Sequence, residues 1–133
     1  MSYRKSQQTP SQTLSRAKGM RNKLKKCWSK ETSYSEDYYT GGSDGQCYPT
    51  ALVVQDELGG KIVRGDVPYE NQKIYDPHFW NLLPGGIEID LTSDQYGGDG
   101  IIPVKKSVKL SVISGDRRNK KYWLLKERFK ENK

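Results

Sequence analysis

The chain is short of the residues that would make its chemistry ambiguous. It has two cysteines, Cys27 and Cys47, and one histidine, His78. Two cysteines cannot build a disulfide framework. Cys27, Cys47, His78 and Asp90 could together supply four zinc ligands, but no Cys-x-x-Cys or His-x-His pair supports a metal site, and no motif implies a cofactor. No apolar run approaches the roughly 20 residues of a membrane-spanning helix, and the start of the chain lacks the apolar core of a signal peptide. These absences read as a soluble, cytoplasmic protein of a reducing compartment with no membrane partner. Internal repeats are also absent. Hydrophobic residues reach 33%, and nine Tyr and three Trp add amphipathic bulk to a single modest core.

Acid is missing from the first 30 residues, which carry nine basic side chains; residues 31–115 carry six basic and thirteen acidic, and residues 116–133 eight basic and three acidic. Basic ends of this kind suit nucleic acid or an anionic surface. They also suit solvated helix faces drawn to the protein's own acidic centre, the preferred reading because no aromatic-interleaved basic motif is present.

What the sequence does contain is organised around Ser43–Gly60. Ser43 or Asp44 can cap a helix, Pro49 fits only an opening turn, and Gly59-Gly60 supplies a left-handed stop. The helix should be roughly 20 Å long. Cys47, Ala51, Val54 and Leu58 recur at helical spacing, which puts the thiol on the packed face at the end where the backbone dipole favours a thiolate.

Residues 1–12 are polar and aperiodic and read as a flexible tail, leaving residues 13–133 as one domain. Ala17, Met20, Leu24, Cys27 and Trp28 form an apolar stripe on a basic helix from Thr13 to Ser29. A turn-rich connection over 31–46 follows. Lys61–Gly65 predicts a strand, and His78–Leu83 with Ile87–Thr92 predicts a hairpin closed by Pro84-Gly85-Gly86. With Leu83 facing Ile87 and Trp80 facing Asp90, one surface gathers Phe79, Asn81, Leu83, Ile87, Ile89 and Leu91, and the other gathers His78, Trp80, Leu82, Glu88, Asp90 and Thr92. A slip of one residue would mix the sets, so the first register is preferred, with Asp90 diagonal to His78. Ile101–Val104 and Val108–Val112 read as two more strands. Asp116 can cap a closing helix striped by Tyr122, Leu125 and Phe129. The fold class is α+β, with helices before and after a small antiparallel sheet.

Cys47, His78 and Asp90 have the types and order of a nucleophile, a general base and the group that orients the base. Gln46 and the Cys47 backbone N–H can donate to an oxyanion. Trp80 can shield the His–Asp bond, and with Asn81 and Tyr48 it is expected to line the site. Singly, a cysteine on a packed helix, a histidine on a strand and a strand aspartate each read as structural; in combination the catalytic reading is preferred.

At these residues a resemblance becomes plain. Trp28–Thr32, Gly45-Gln46-Cys47, Thr50–Asp56, Gly59–Ile62, His78–Asn81 with Leu83–Gly86, and Asp90–Tyr96 resemble the YunG-like family of small bacterial proteins. The resemblance runs from Trp28 to Gly97. It implies a minimal papain-like or transglutaminase-like thiol fold with Cys47, His78 and Asp90 as its triad. Tyr48-Pro49 departs from the smaller or aliphatic residues expected after the cysteine, which narrows access to the thiol. The expected activity is that of a cysteine-dependent hydrolase or acyl-transferase acting on an amide, ester or isopeptide of a peptide, protein or small acyl substrate. The alternatives are a non-catalytic binding module on a papain-like scaffold and a basic-ended nucleic-acid binder.

Overall fold

The computed structural model describes residues 8–67 and 77–132. Helix α1 (Pro10–Lys25) starts three residues before the expected boundary, because Thr9 and Gln12 make a reciprocal capping box and Pro10 takes the first helical position. Most of the expected flexible tail lies outside the described residues. The stripe is as expected: Ala17, Met20, Leu24, Cys27 and Trp28 are all buried.

Helix α2 (Cys47–Leu58) stops where Gly59 and Gly60 turn to positive φ. At Gly60 a Cβ would stand 2.3 Å from the Leu82 carbonyl oxygen, so the close approach to the following hairpin also requires glycine. Its middle departs from a one-sided stripe, since every residue from Pro49 to Val54 is buried. The helix packs on the sheet on one side and on α3 (Lys120–Glu131) on another, which leaves that turn no wet face. The cap is Gln46, with no side-chain capping bond. Ser43 instead donates to Asp94 Oδ1 at 2.6 Å, and Asp44 accepts from the Thr40 N–H at 3.0 Å.

The sheet joins β1 (Lys61–Asp66), β2 (His78–Leu82), β3 (Glu88–Ile89) and β4 (Val108–Ile113) in the antiparallel order β3-β2-β1-β4. Asn81 pairs with Ile89, Leu82 with Glu88, and the Leu83 N–H donates to the Ile87 carbonyl at 2.7 Å, which is the expected hairpin register. Leu83, Ile89 and Leu91 join the three helices in the main core, while Val63, Val67 and Trp80 make a smaller cluster. The expected strand over Ile101–Val104 does not form. The Asp99 carboxylate takes the N–H groups of Ile101 and Ile102 at 2.8 and 3.0 Å, turning the chain after one backbone bond from Asp90 N–H to the Ile101 carbonyl. The closing helix is capped by Asn119, which accepts from the Tyr122 N–H, while Asp116 is occupied by Arg118; Tyr122, Leu125 and Phe129 are buried as the stripe predicts.

Much of the basic charge is used internally. Arg21 pairs with Asp94, Arg117 and Lys126 with Asp56, Lys121 with Glu36 and Arg128 with Glu31. Among the described residues no helix is long and apolar enough to cross a membrane.

Gly65, opposite His78 in the β1–β2 ladder, lies under the Trp80 ring: a Cβ there would meet Trp80 Cη2 at 2.4 Å and the Val108 carbonyl oxygen at 2.3 Å. Gly65→Ala should therefore lower the unfolding free energy by about 1–3 kcal/mol through overpacking, read as a shifted urea midpoint with unchanged m-value. An unchanged midpoint would show that Trp80 is free to move.

Candidate active site

The site is assembled from the start of α2, the start of β2 and the residue that follows β3. His78 and Asp90 are 0% and 1% exposed, and His78 Nε2 lies 2.6 Å from Asp90 Oδ2. The hairpin register makes this contact. The other oxygen, Asp90 Oδ1, accepts from the Thr92 N–H at 3.1 Å and the Thr92 hydroxyl at 3.2 Å, so the carboxylate is held by donors on both sides. Two rings close over the imidazole: Tyr96 edge-on at 4.8 Å between centroids and Trp80 at 5.8 Å. Trp80 is fixed by its Nε1–H, which donates to Glu88 at 2.9 Å.

His78 Nδ1 is buried and has no hydrogen-bond partner among the described residues. The Cys47 thiol stands close enough to raise the ring's affinity for its proton. Burial opposes the charge on His78, but the Asp90 carboxylate and the Cys47 thiol outweigh it and the pKa is pushed up to about 10.

Cys47 is half-buried and lines a cleft of ≈ 680 Å³. Its backbone N–H and that of Tyr48 donate to nothing among the described residues, Pro49 has no N–H, and the helix ladder begins with Thr50 N–H to the Gln46 carbonyl at 3.0 Å. Two free donors thus lie beside the sulfur.

Two expected lining or donor residues serve elsewhere. The Gln46 side chain is fully buried, its Nε2 donating to the Ser29 carbonyl and its Oε1 accepting from the Thr32 hydroxyl, both at 2.8 Å. Asn81 is also buried and donates to the Ala51 carbonyl at 3.0 Å, holding β2 to α2. Tyr48 does line the cleft, edge-to-face with Phe79 at 4.7 Å, its hydroxyl accepting from the Asp116 N–H at 2.7 Å. Tyr34, Asp44, Phe79, Gln95 and Tyr96 are among the other lining residues, none of them expected as lining. Tyr96 closes the Asp90–Tyr96 motif, which is a signal; Tyr34, in a turn-rich segment without periodicity, leaves none.

Cys27 stands apart. It donates to the Lys23 carbonyl at 3.3 Å in the main core, and burial pushes its thiol up despite Lys23 and Arg128 nearby. Among the described residues no group of three or more His, Cys, Asp or Glu is arranged to hold a metal ion.

Fold and site define a small α+β protein whose cysteine helix faces a buried histidine–aspartate pair. The chain belongs to the YunG protein family, which matches it over residues 16–133. It is similar to "Uncharacterized protein YunG" of Bacillus subtilis (strain 168), 37% identical over 75 residues that make up 55% of this chain and 56% of that protein. The match therefore spans little more than half the length of the curated relative. No solved structure matches.

The raised pKa ties stability to pH. With the folded-state value near 10 against 6.5 ordinarily, the stabilisation from His78 is fully present below pH 6.5 and is lost as pH rises towards 10. Urea denaturation across pH 6–10 should show stability falling with pH in the native sequence and a shallower fall in Asp90→Asn. Parallel curves would mean that the pair does not set the His78 proton.

Proposed function

We infer that the protein is a papain-like thiol enzyme, a hydrolase or acyl-transferase, with Cys47 as nucleophile, His78 as proton carrier and Asp90 as the group that orients the ring. The observation that carries this reading is the buried 2.6 Å contact between His78 and Asp90, which leaves His78 Nδ1 for the half-buried thiol at the start of α2. The same arrangement suits a papain-like or transglutaminase-like scaffold, and the two free thiols suit a cytoplasmic setting.

The Cys47 sulfur attacks the carbonyl carbon of an amide, ester or isopeptide. The oxyanion is met by the N–H groups of Cys47 and Tyr48. The C–N or C–O bond breaks as His78 gives its proton to the leaving group, and a thioester remains. Water or an acceptor amine then attacks, loses its proton to His78, and releases the acyl product and the thiolate. Asp90 keeps the ring's far nitrogen paired throughout, and the Trp80 and Tyr96 rings keep water from that bond.

Reactivity tests this reading without knowledge of the substrate. Iodoacetamide at pH 6 should alkylate Cys47 well before Cys27. His78→Ala should slow the Cys47 reaction by about tenfold or more, and Asp90→Asn by less, because a misoriented ring still carries charge. Acyl and amide substrates cleaved by the native protein should survive Cys47→Ala. Equal labelling of the two thiols in folded protein, or a Cys47 rate indifferent to loss of His78, would leave a non-catalytic binding module as the better description.

A further inference from the structure

The cleft over Cys47 carries a charge opposite in sign to the net charge of the chain. The protein carries 23 basic against 16 acidic side chains, yet among the described residues that line the cleft there is no lysine or arginine and one carboxylate, Asp44. Asp44 uses Oδ2 to accept the Thr40 N–H at 3.0 Å, and no lysine or arginine among the described residues pairs with it. The following residue fixes where it stands. Gly45 has φ +69°, and a Cβ there would collide with Ser33 Oγ at 2.2 Å and the Ser35 N at 2.8 Å, so the chain turns tightly between Asp44 and Cys47. The opposing walls are aromatic, with Tyr34, Tyr48 and Phe79 in an edge-to-face series at 6.3 and 4.7 Å. Lys121 lies over the Tyr34 ring at 5.9 Å but is already held by Glu36 at 3.1 Å.

Resting on the thiol-enzyme reading above, we propose that this cleft selects an acyl substrate bearing an ammonium or guanidinium group close to the reacting carbonyl, with Asp44 as the specificity-determining carboxylate and the tyrosine rings as its cation-tolerant wall. Electron-rich ring faces attract cations and leave anions unpaired. A carboxylate at the mouth of a low-dielectric cleft raises the local concentration of the matching charge. An anionic substrate would meet a like charge and, among the described lining residues, no lysine or arginine, a mismatch that rejects as effectively as the match attracts.

Charged thiol reagents separate this inference from the chemistry it rests on. The probes are two methanethiosulfonates, one carrying a trimethylammonium and one a sulfonate, with Cys27 replaced by Ser so that Cys47 is read alone. The ratio of cationic to anionic rate, divided by the same ratio for free 2-mercaptoethanol, should exceed one by roughly three- to tenfold. Asp44→Asn, which keeps an oxygen for the Thr40 N–H, should bring it down severalfold, and Asp44→Lys should reverse it. Both rates are taken on one thiol, so a change in its intrinsic reactivity divides out. A normalised ratio at or below one, or a ratio that Asp44→Asn leaves unchanged, would overturn the proposal even if Cys47 depends on His78 as expected. Conversely, a Cys47 indifferent to His78 would remove the enzyme while leaving the charge preference of the cleft readable.

Discussion

The contact between His78 and Asp90 is the constraint that the surrounding structure serves. Both side chains are out of solvent, and a charge buried there without its partner would cost several kcal/mol. The pair can exist only as a unit, and the unit can exist only in one hairpin register. The Pro84–Gly86 loop sets Trp80 against Asp90, and the strand pleat brings His78 to the same face. A shift of one residue would turn Asp90 towards the helices, where Leu83, Ile89 and Leu91 now pack. The Thr92 hydroxyl and N–H on the second carboxylate oxygen then hold Asp90 as an acceptor, which commits the histidine to donating Nε2–H and leaves Nδ1 without a hydrogen-bond partner among the described residues.

The thiol is brought to that pair by a second set of buried polar contacts, all on α2 or its cap. Trp28 donates to the Thr50 hydroxyl at 3.0 Å, Asn81 to the Ala51 carbonyl at 3.0 Å, and Gln46 spans Ser29 and Thr32. Apolar packing of Ala51–Val54 would hold the helix in the core while tolerating a slide or rotation. Directional bonds to side chains that cannot reach water do not tolerate one. Residues from the segment after α1 and from β2 therefore meet on the first turns of α2, and the position of Cys47 is fixed by groups that do not line the cleft, Gln46 among them.

The parts of the fold that were legible in the sequence are those set by periodicity and turn chemistry. The α1 stripe, the glycine stop of α2 and the Pro-Gly-Gly hairpin register are local patterns, and the His78–Asp90 contact follows from the last of them. The departures have tertiary or side-chain causes. Ile101–Val104 has strand composition, but the Asp99 carboxylate offers its backbone a nearer partner than another strand would. Ser43 has the chemistry of a cap and is drawn to Asp94, 51 residues away. No pattern in a single chain shows that α2 is enclosed by both sheet and helix, or that Tyr34 and Tyr48 meet across the cleft. The start of α1 differs in kind: Thr9-Pro10-Ser11-Gln12 spells out a capping box with proline at the first turn, and the polarity of the segment obscured it.

The two cysteines show how one side chain acquires two characters from helix geometry. Cys27 follows the last turn of α1, at the negative end of the helix dipole, and its sulfur sits against the Lys23 carbonyl inside the core. Burial and the helix end act together to keep it a thiol, and the neighbouring Lys23 and Arg128 do not reverse them. Cys47 opens α2, where unpaired N–H groups make the environment positive and the cleft leaves the sulfur half-accessible. What distinguishes them is the polarity of the helix end each occupies: Cys27 follows the C-terminal turn of α1, and Cys47 opens the N-terminal turn of α2.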